Sequence, residues 1–420
     1  MTQVTAVVIG AGNRGNTYVR QAVPGTLKVV GVAEPNEQRR LKFQETYNIP
    51  DENCFLSYEQ LLAAPKMADM AIISTNDDLH IQPSEMALEK GYHILLEKPV
   101  ATSPEAVYKL TKLAEKNDKL FSVCYVLRYT NFFKTLKNII DSGKIGRIVS
   151  MVHSENVAYW HQAHSFVRGN WRNSKETSPM ILAKCCHDMD ILYHLIGAKC
   201  KKVSSFGSLF HFKKENAPEG AAKRCLDNCP HYDTCQFNAA KLYLDSPLRS
   251  WCKIPLNIPD TEAKTIMEAL KTSDYGRCVY HCDNDVVDNQ VVNLLYDNGV
   301  TVAFTMCAFT KECNRLMRIM GVDGEIEGDV ENGIITVKEF KTGNVNRISV
   351  AASATGHSGG DYGLINAFIS AIMGREEAGS TVKESLESHM LAFAAEKSRV
   401  EGRTIDMDEY MAEVGKTNEK

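Results

Sequence analysis

An apolar run, Val4–Ile9, that gives way at once to glycine constrains this chain more than any other feature. A strand apolar at nearly every position has both faces buried, the condition of a strand in a parallel sheet covered by helices. Gly10, Gly12 and Gly15 follow as G-x-G-x-x-G. The segment through Tyr18, Val19 and Ala22 is predicted to be helical until Pro24 and Gly25 end it. A second apolar strand, Leu27–Ala33, stops at Glu34. In such a unit Gly10 permits the tight turn, Gly12 lets backbone approach a pyrophosphate, and Gly15 lets the helix press on the strand. The helix N-terminus offers free amides to the anion. Asn13 and Arg14 sit in the same turn and join the expected dinucleotide-binding set, and Glu34 is placed to accept hydrogen bonds from ribose hydroxyls. A carboxylate there repels a 2′-phosphate and points to NAD, whereas the neighbouring Arg39 and Arg40 keep NADP open.

The alternation continues with strands at 69–74, 92–96 and 120–124 and helices at 79–90 and 104–117. This predicts an α/β fold whose first part, residues 1–128, is a Rossmann-type doubly wound parallel sheet. A chain of 420 residues exceeds that one domain. Its 44% hydrophobic and 24% charged content is that of a folded soluble protein. The net charge of −4, with no stripe of Lys and Arg, argues against nucleic acid as a partner. No apolar run nears the ~18 residues that span a bilayer, so a membrane partner is not expected. The N-terminus enters its first strand without a basic leader, and the 13 cysteines are an odd number, so a reducing cytoplasm is the expected location.

Past about 130 the pattern changes to longer alternating strands at 148–158, 203–212, 286–296, 300–309, 315–321 and 333–340. This predicts a second, α+β domain over 129–420, built on a large open, mostly antiparallel sheet with one covered face. A single helix is expected at 180–195, with Lys184 and His187 on one face, and Asp361 is expected as the N-cap of a helix running past Phe368. Tyr159, Trp160, His161, His164, Arg168, Trp171 and Arg172 suit a sugar, whose C–H faces stack on rings, and equally suit a packing loop.

Directly after the strand at 92–96 stands Glu97-Lys98-Pro99, and with it the sequence resembles the glucose-fructose oxidoreductase and inositol dehydrogenase (Gfo/Idh/MocA) family. The matching pieces are Gly10 to Gly15, Ser74-Thr75-Asn76-Asp77-Asp78-Leu79-His80, Glu97-Lys98-Pro99, Arg128, and Ser142-Gly143-Lys144-Ile145-Gly146. The resemblance implies an NAD(P)-dependent dehydrogenase acting on the CH–OH of a sugar, sugar acid or cyclitol, and a homodimer or homotetramer. It assigns Lys98 to catalysis and places Asn76, His80 and Glu97 beside the cofactor. Chemistry agrees: hydride leaves carbon most readily when the hydroxyl proton is withdrawn, by a base or beside an ammonium that stabilises the alkoxide. For Lys98 to act as the base, its pKa of ~10.4 would have to fall. The family's acid, three residues, histidine, then a further acid aligns on Ala183, His187 and Asp190, so the first acid is replaced, with Lys184 beside it. His187 is then a catalytic proton exchanger, and Lys98, Lys184, His187 and His357 line the substrate. Two other classes stay open: a glycosidase using NAD for transient oxidation and elimination, and a non-catalytic NAD-binding sensor.

A block at about 213–285 interrupts the second sheet. Cys225, Cys229 and Cys235 follow C-x3-C-x5-C spacing, with His231, Cys252, Cys278 and Cys282 in the same block. A structural zinc, an iron–sulfur cluster, buried unligated thiols and a reactive thiol are the alternatives. Asp283, Asn284, Asp285 and Asp288 lack the glycine and terminal glutamate of a calcium loop and are expected to form a turn. Residues 414–420 are expected to be a frayed tail.

Overall fold

The computed structural model describes residues 3–244, 247–351 and 356–417. Strands β1 (Val4–Ile9), β2 (Leu27–Ala33), β3 (Cys54–Phe55), β4 (Met70–Ile73), β5 (His93–Leu96) and β6 (Phe121–Val123) form a parallel sheet ordered β3-β2-β1-β4-β5-β6. All four residues of β4 are buried, as helices on both faces require. The strand order reverses between β1 and β4, which opens a crevice at their carboxyl ends.

Nine further strands form the second sheet: β7 (Ile148–Asn156), β8 (Cys200–Ser208), β9 (Asn289–Tyr296), β10 (Thr301–Cys307), β11 (Asn314–Gly321), β12 (Gly324–Asp329), β13 (Ile334–Glu339), β14 (Val345–Ser349) and β15 (Ile405–Asp406). Their order is β14-β13-β12-β11-β7-β10-β9-β8-β15. Among the described residues of this sheet only β7 and β10 pair in parallel. Helices Cys186–Ile196 and Val382–Glu401 pack on one face, the latter entered through a capping box of Thr381 and Glu384. On the other face Phe206, Val291 and Leu316 are exposed in laterally paired strands.

The two sheets are joined by more than the chain crossing near 128. Helix Gly360–Ile372 returns to the first sheet, where Leu364, Ile365, Phe368 and Ile369 share an apolar cluster with Val4, Ala6 and Val8. Asn366 fastens it, donating to Gln21 O at 2.9 Å and accepting from Val23 N–H at 2.8 Å. Between Ser208 and Asn289 the chain leaves the second sheet and builds a block with its own apolar clusters, one around Leu242, Cys252 and Leu270 and another around Phe212, Phe237 and Tyr280.

Several local expectations are corrected. The helix expected at 180–195 is two, Met180–Ala183 and Cys186–Ile196, with Lys184 and Cys185 in the break, so Lys184 and His187 do not share a helical face. Asp361 lies inside the first turn rather than at the cap, which is Gly359 at φ +88°. The expected frayed tail is helical through Thr417 because Tyr410 and Val414 are buried, and residues 418–420 lie outside the described residues. Strands β3, β12, β14 and β15 were not anticipated, two of them being only two residues long. Among the described residues no helix is long and apolar enough to cross a membrane.

Candidate active site

The glycine turn closes as its residue types require. Gly10 has φ +92°, and a Cβ on it would stand 2.6 Å from Ser74 O. A Cβ on Gly15 would stand 2.4 Å from Gly10 O and 2.7 Å from Ser74 Oγ, so the helix can touch the strand only through hydrogen here. Gly12, the N-cap of helix Asn13–Gln21, has open space where its Cβ would be. Glu34 is buried, with Oε2 accepting Ala11 N–H at 2.9 Å and Oε1 accepting Asn36 N–H at 3.0 Å. It therefore ties the end of β2 to the turn. Arg40 is turned back onto the chain and donates to Glu34 O at 2.8 Å, while Arg39 is exposed.

Arg14 reaches away from the turn. Its Nε donates to Glu97 Oε1 at 2.6 Å and its Nη2 to Asp361 Oδ1 at 2.6 Å and to Tyr18 OH at 2.5 Å. Tyr18 in turn donates to the same Glu97 oxygen at 2.6 Å. One guanidinium thus joins three segments: the first helix, the end of β5 and helix Gly360–Ile372. Burial raises the carboxyl of Glu97, but Arg14 and Lys98 more than offset it and hold the group below its ordinary value. His80 is buried, its Nδ1 2.7 Å from Pro99 O and its Nε2 3.2 Å from Thr75 O, so it props the turn after β5, where Lys98–Pro99 is cis. Asn76 is exposed at the end of β4.

The other half of the crevice comes from the break in the helix pair. Lys98 Nζ lies 3.4 Å from Ala183 O. Burial opposes its charge, but Cys186, Glu97 and Asp77 outweigh burial and raise its pKa. Burial pushes the Cys186 thiol itself up to about 12, so near neutral pH the two carboxylates carry that effect. Lys98 is therefore an ammonium rather than the neutral base, and Lys184 Nζ is paired with Glu155 Oε1 at 3.2 Å.

His187 is buried, and its Nδ1 has no hydrogen-bond partner. Burial first, then the charges of Lys98, Arg315, His357 and Lys184, hold it well below the ordinary imidazole value, so it is neutral. The His357 ring lies 6.3 Å from that of His187, and its Nδ1 is 3.0 Å from Asp361 Oδ2. Asp190 serves elsewhere: Arg128 grips it with two hydrogen bonds, at 2.6 and 2.7 Å, inside the helical layer.

Residues that sequence reasoning missed complete the wall. Arg315 on β11 binds Asp188 at 2.8 Å and Glu155 at 2.7 Å, and Asp188 also meets His153 Nε2 at 2.7 Å. The signal was present, since His153 and Glu155 occupy the inward phase of β7, where apolar residues belong. Trp251, from the inserted block, packs edge-on against His161 at 5.1 Å and lies 6.0 Å from Trp160, while the Trp171 indole bonds Asp77. Trp171 therefore stands on the Asp77 side of Lys98, whereas Trp160 and Trp251 gather around His161. Among the aromatic-loop residues, Arg168 instead points into the inserted block, and Arg172 pairs with Asp283 at 3.0 Å.

Residues 4–125 match the family model described as an oxidoreductase family, NAD-binding Rossmann fold, and residues 137–407 match its C-terminal alpha/beta domain. The Bacillus subtilis protein YteT, an oxidoreductase by name, is 22% identical over 313 residues, covering 72% of this chain and 70% of its own. The 2,7-anhydro-N-acetylneuraminate hydratase of Escherichia coli is 27% identical over 146 residues, 35% of this chain and 38% of that protein. The crystal structure of scyllo-inositol dehydrogenase from Lactobacillus casei, with NAD(H) and scyllo-inositol, superposes with a TM-score of 0.68 at 14% identity, covering 97% of this chain and 100% of that one.

Proposed function

Because the chain belongs to the Gfo/Idh/MocA oxidoreductase family, whose two parts it matches over residues 4–125 and 137–407, we propose that it transfers hydride between a secondary alcohol of a sugar, sugar acid or cyclitol and NAD. The observation that carries this reading is a charged Lys98 whose field reaches a buried, neutral His187 with an unpartnered Nδ1.

The turn suits a dinucleotide. The open space at Gly12 is a cradle that a Cβ would fill, and the free amides of helix Asn13–Gln21 face an anion. The Glu34 carboxylate offers acceptors to ribose hydroxyls and repels a 2′-phosphate, while Arg40 is spent on backbone carbonyls, which favours NAD over NADP. Gly10, Gly15, Asn13 and Asn76 complete the cofactor wall in this reading. Arg14, His80 and Glu97 hold that wall in place through protein contacts. When bound, NAD supplies the hydride acceptor.

The remaining chemistry belongs to the chain. His187 accepts the hydroxyl proton as the C–H bond breaks, because its depressed pKa leaves the imidazole free to take it. Lys98 keeps its proton and donates a hydrogen bond to the developing alkoxide. Lys184 and His357 orient neighbouring hydroxyls. Trp160, Trp171 and Trp251 offer flat faces to sugar C–H groups. In this reading residues 1–128 bind cofactor and 129–420 bind substrate. The exposed side chains of Phe206, Val291 and Leu316 on the open sheet face support assembly of a homodimer or homotetramer through that face.

A second reading, transient oxidation with elimination at a glycoside, is favoured by a relative named as a hydratase. Sugars, sugar acids, cyclitols and their glycosides, each supplied with NAD and followed by NADH absorbance beside product analysis, separate the two. Net NADH supports the dehydrogenase, whereas released sugar without NADH supports the glycosidase. Tight NAD binding with neither product overturns both and leaves a sensor.

A further inference from the structure

The six cysteines between Cys225 and Cys282 take no part in this site, and the fold sorts them. Arg224 and Arg277 pair as an antiparallel bridge, with Cys225 N–H donating to Gly276 O at 3.0 Å and Cys278 N–H to Lys223 O at 2.9 Å. A tight turn holds Cys229 near Cys235: Tyr232 N–H donates to Cys229 O at 3.0 Å and Cys235 N–H to His231 O at 2.9 Å. Cys225, Cys229, Cys235 and Cys278 then line one cavity of about 20 Å³. The other two are set apart. Cys282 donates its S–H to Cys278 O at 3.3 Å, and Cys252 is buried in the neighbouring apolar cluster.

A hydrogen-bond donor stands against one of these sulfurs, Ala239 N–H donating to Cys225 Sγ at 3.4 Å. Arg168 is 1% exposed and bonds Arg277 O and Phe237 O, both at 2.7 Å, with Cys225 Sγ 3.6 Å from Nη2. Its Nη1 has no partner, and among the described residues it forms no carboxylate ion pair. A buried guanidinium without a counter-anion is costly, and the thiols are the groups at hand that can supply one.

We propose that Cys225, Cys229, Cys235 and Cys278 bind one zinc ion as a tetrathiolate that pins the inserted block together. Four thiols release four protons to Zn²⁺, leaving a centre of net charge −2 beside Arg168. A cavity of about 20 Å³ admits one ion or one water. Among the described residues no three such side chains already stand at metal-ligand spacing, so ion binding requires the thiols to rotate about their Cα–Cβ bonds.

Elemental analysis and native mass spectrometry of the full chain, purified without a metal-affinity step, test this. The expected result is one zinc per chain, lost in Cys225→Ser and Cys278→Ser and kept in Cys252→Ser and Cys282→Ser. Because the first two variants can unfold the block, the wild-type protein is also treated with a mercurial, which should release zinc while four protected thiols become reactive. Iron with sulfide would overturn the single-zinc site. So would a protein that holds no metal after zinc is supplied and whose four thiols react freely.

Discussion

Replacing Lys98 by methionine keeps the stem and removes only the ammonium, which separates its two proposed tasks. The first is the hydrogen bond to the alkoxide. Loss of one preorganised donor at a developing oxyanion costs about 10²- to 10³-fold in kcat, or ~2.7–4 kcal/mol. The second is electrostatic. After burial, the Lys98 charge is the largest influence holding His187 below its ordinary value, so removing it raises the histidine pKa. The reaction needs neutral His187, so rate is lost as pH falls through that pKa, and in Lys98→Met the acid limb moves to higher pH. Turnover measured from pH 5 to 9 with saturating NAD, beside the NAD dissociation constant by calorimetry, reads both effects. Near wild-type kcat, or an acid limb that stays in place or moves down, would refute the reasoning, whereas lost NAD binding would mean that Lys98 supports the cofactor wall instead.

Three further outcomes follow from the geometry. Arg14→Met leaves Glu97 and Asp361 without their common cation and should cost about 2–4 kcal/mol near neutral pH by urea denaturation, discounted because the Arg14 side chain is 27% exposed. Both carboxyls have folded pKa values below the unfolded ones, so that contribution is present above about pH 4 and lost as pH falls, and the gap to wild type should narrow in acid. Gly15→Ala puts a Cβ 2.4 Å from Gly10 O and should destabilise by about 1–3 kcal/mol while abolishing NAD binding, read by melting with and without NAD. Trp251→Ala should raise KM for glycosides about 3- to 10-fold at unchanged kcat, with free monosaccharides less affected.

The first sheet was legible because its signals are local. Buried parallel strands write themselves as apolar runs, and Gly10 and Gly15 stand where backbone contact or positive φ forbids a side chain. The Glu97-Lys98-Pro99 turn was legible for the same reason. Arg14 was not, because its partners Glu97 and Asp361 are distant in sequence and a glycine-rich turn suggests a phosphate contact instead. The break at Lys184–Cys185 carries neither proline nor glycine, so periodicity ran straight across it. Trp251 reached His161 through a long insertion whose path no local pattern encodes, whereas Glu155 and His153 were readable as polar residues in the inward phase of β7.

The central claim is that a polyol C–H passes its hydride to nicotinamide beside Lys98 and His187. A single turnover with enzyme in excess over NAD and a C-deuterated sugar or cyclitol from the active panel, quenched and analysed by mass spectrometry, tests it most directly. The account predicts one deuterium on the nicotinamide ring, retained as NADH by a dehydrogenase or returned to the product by the glycosidase route, and its loss in Lys98→Met. Substrate conversion in which the nicotinamide never carries deuterium would contradict it.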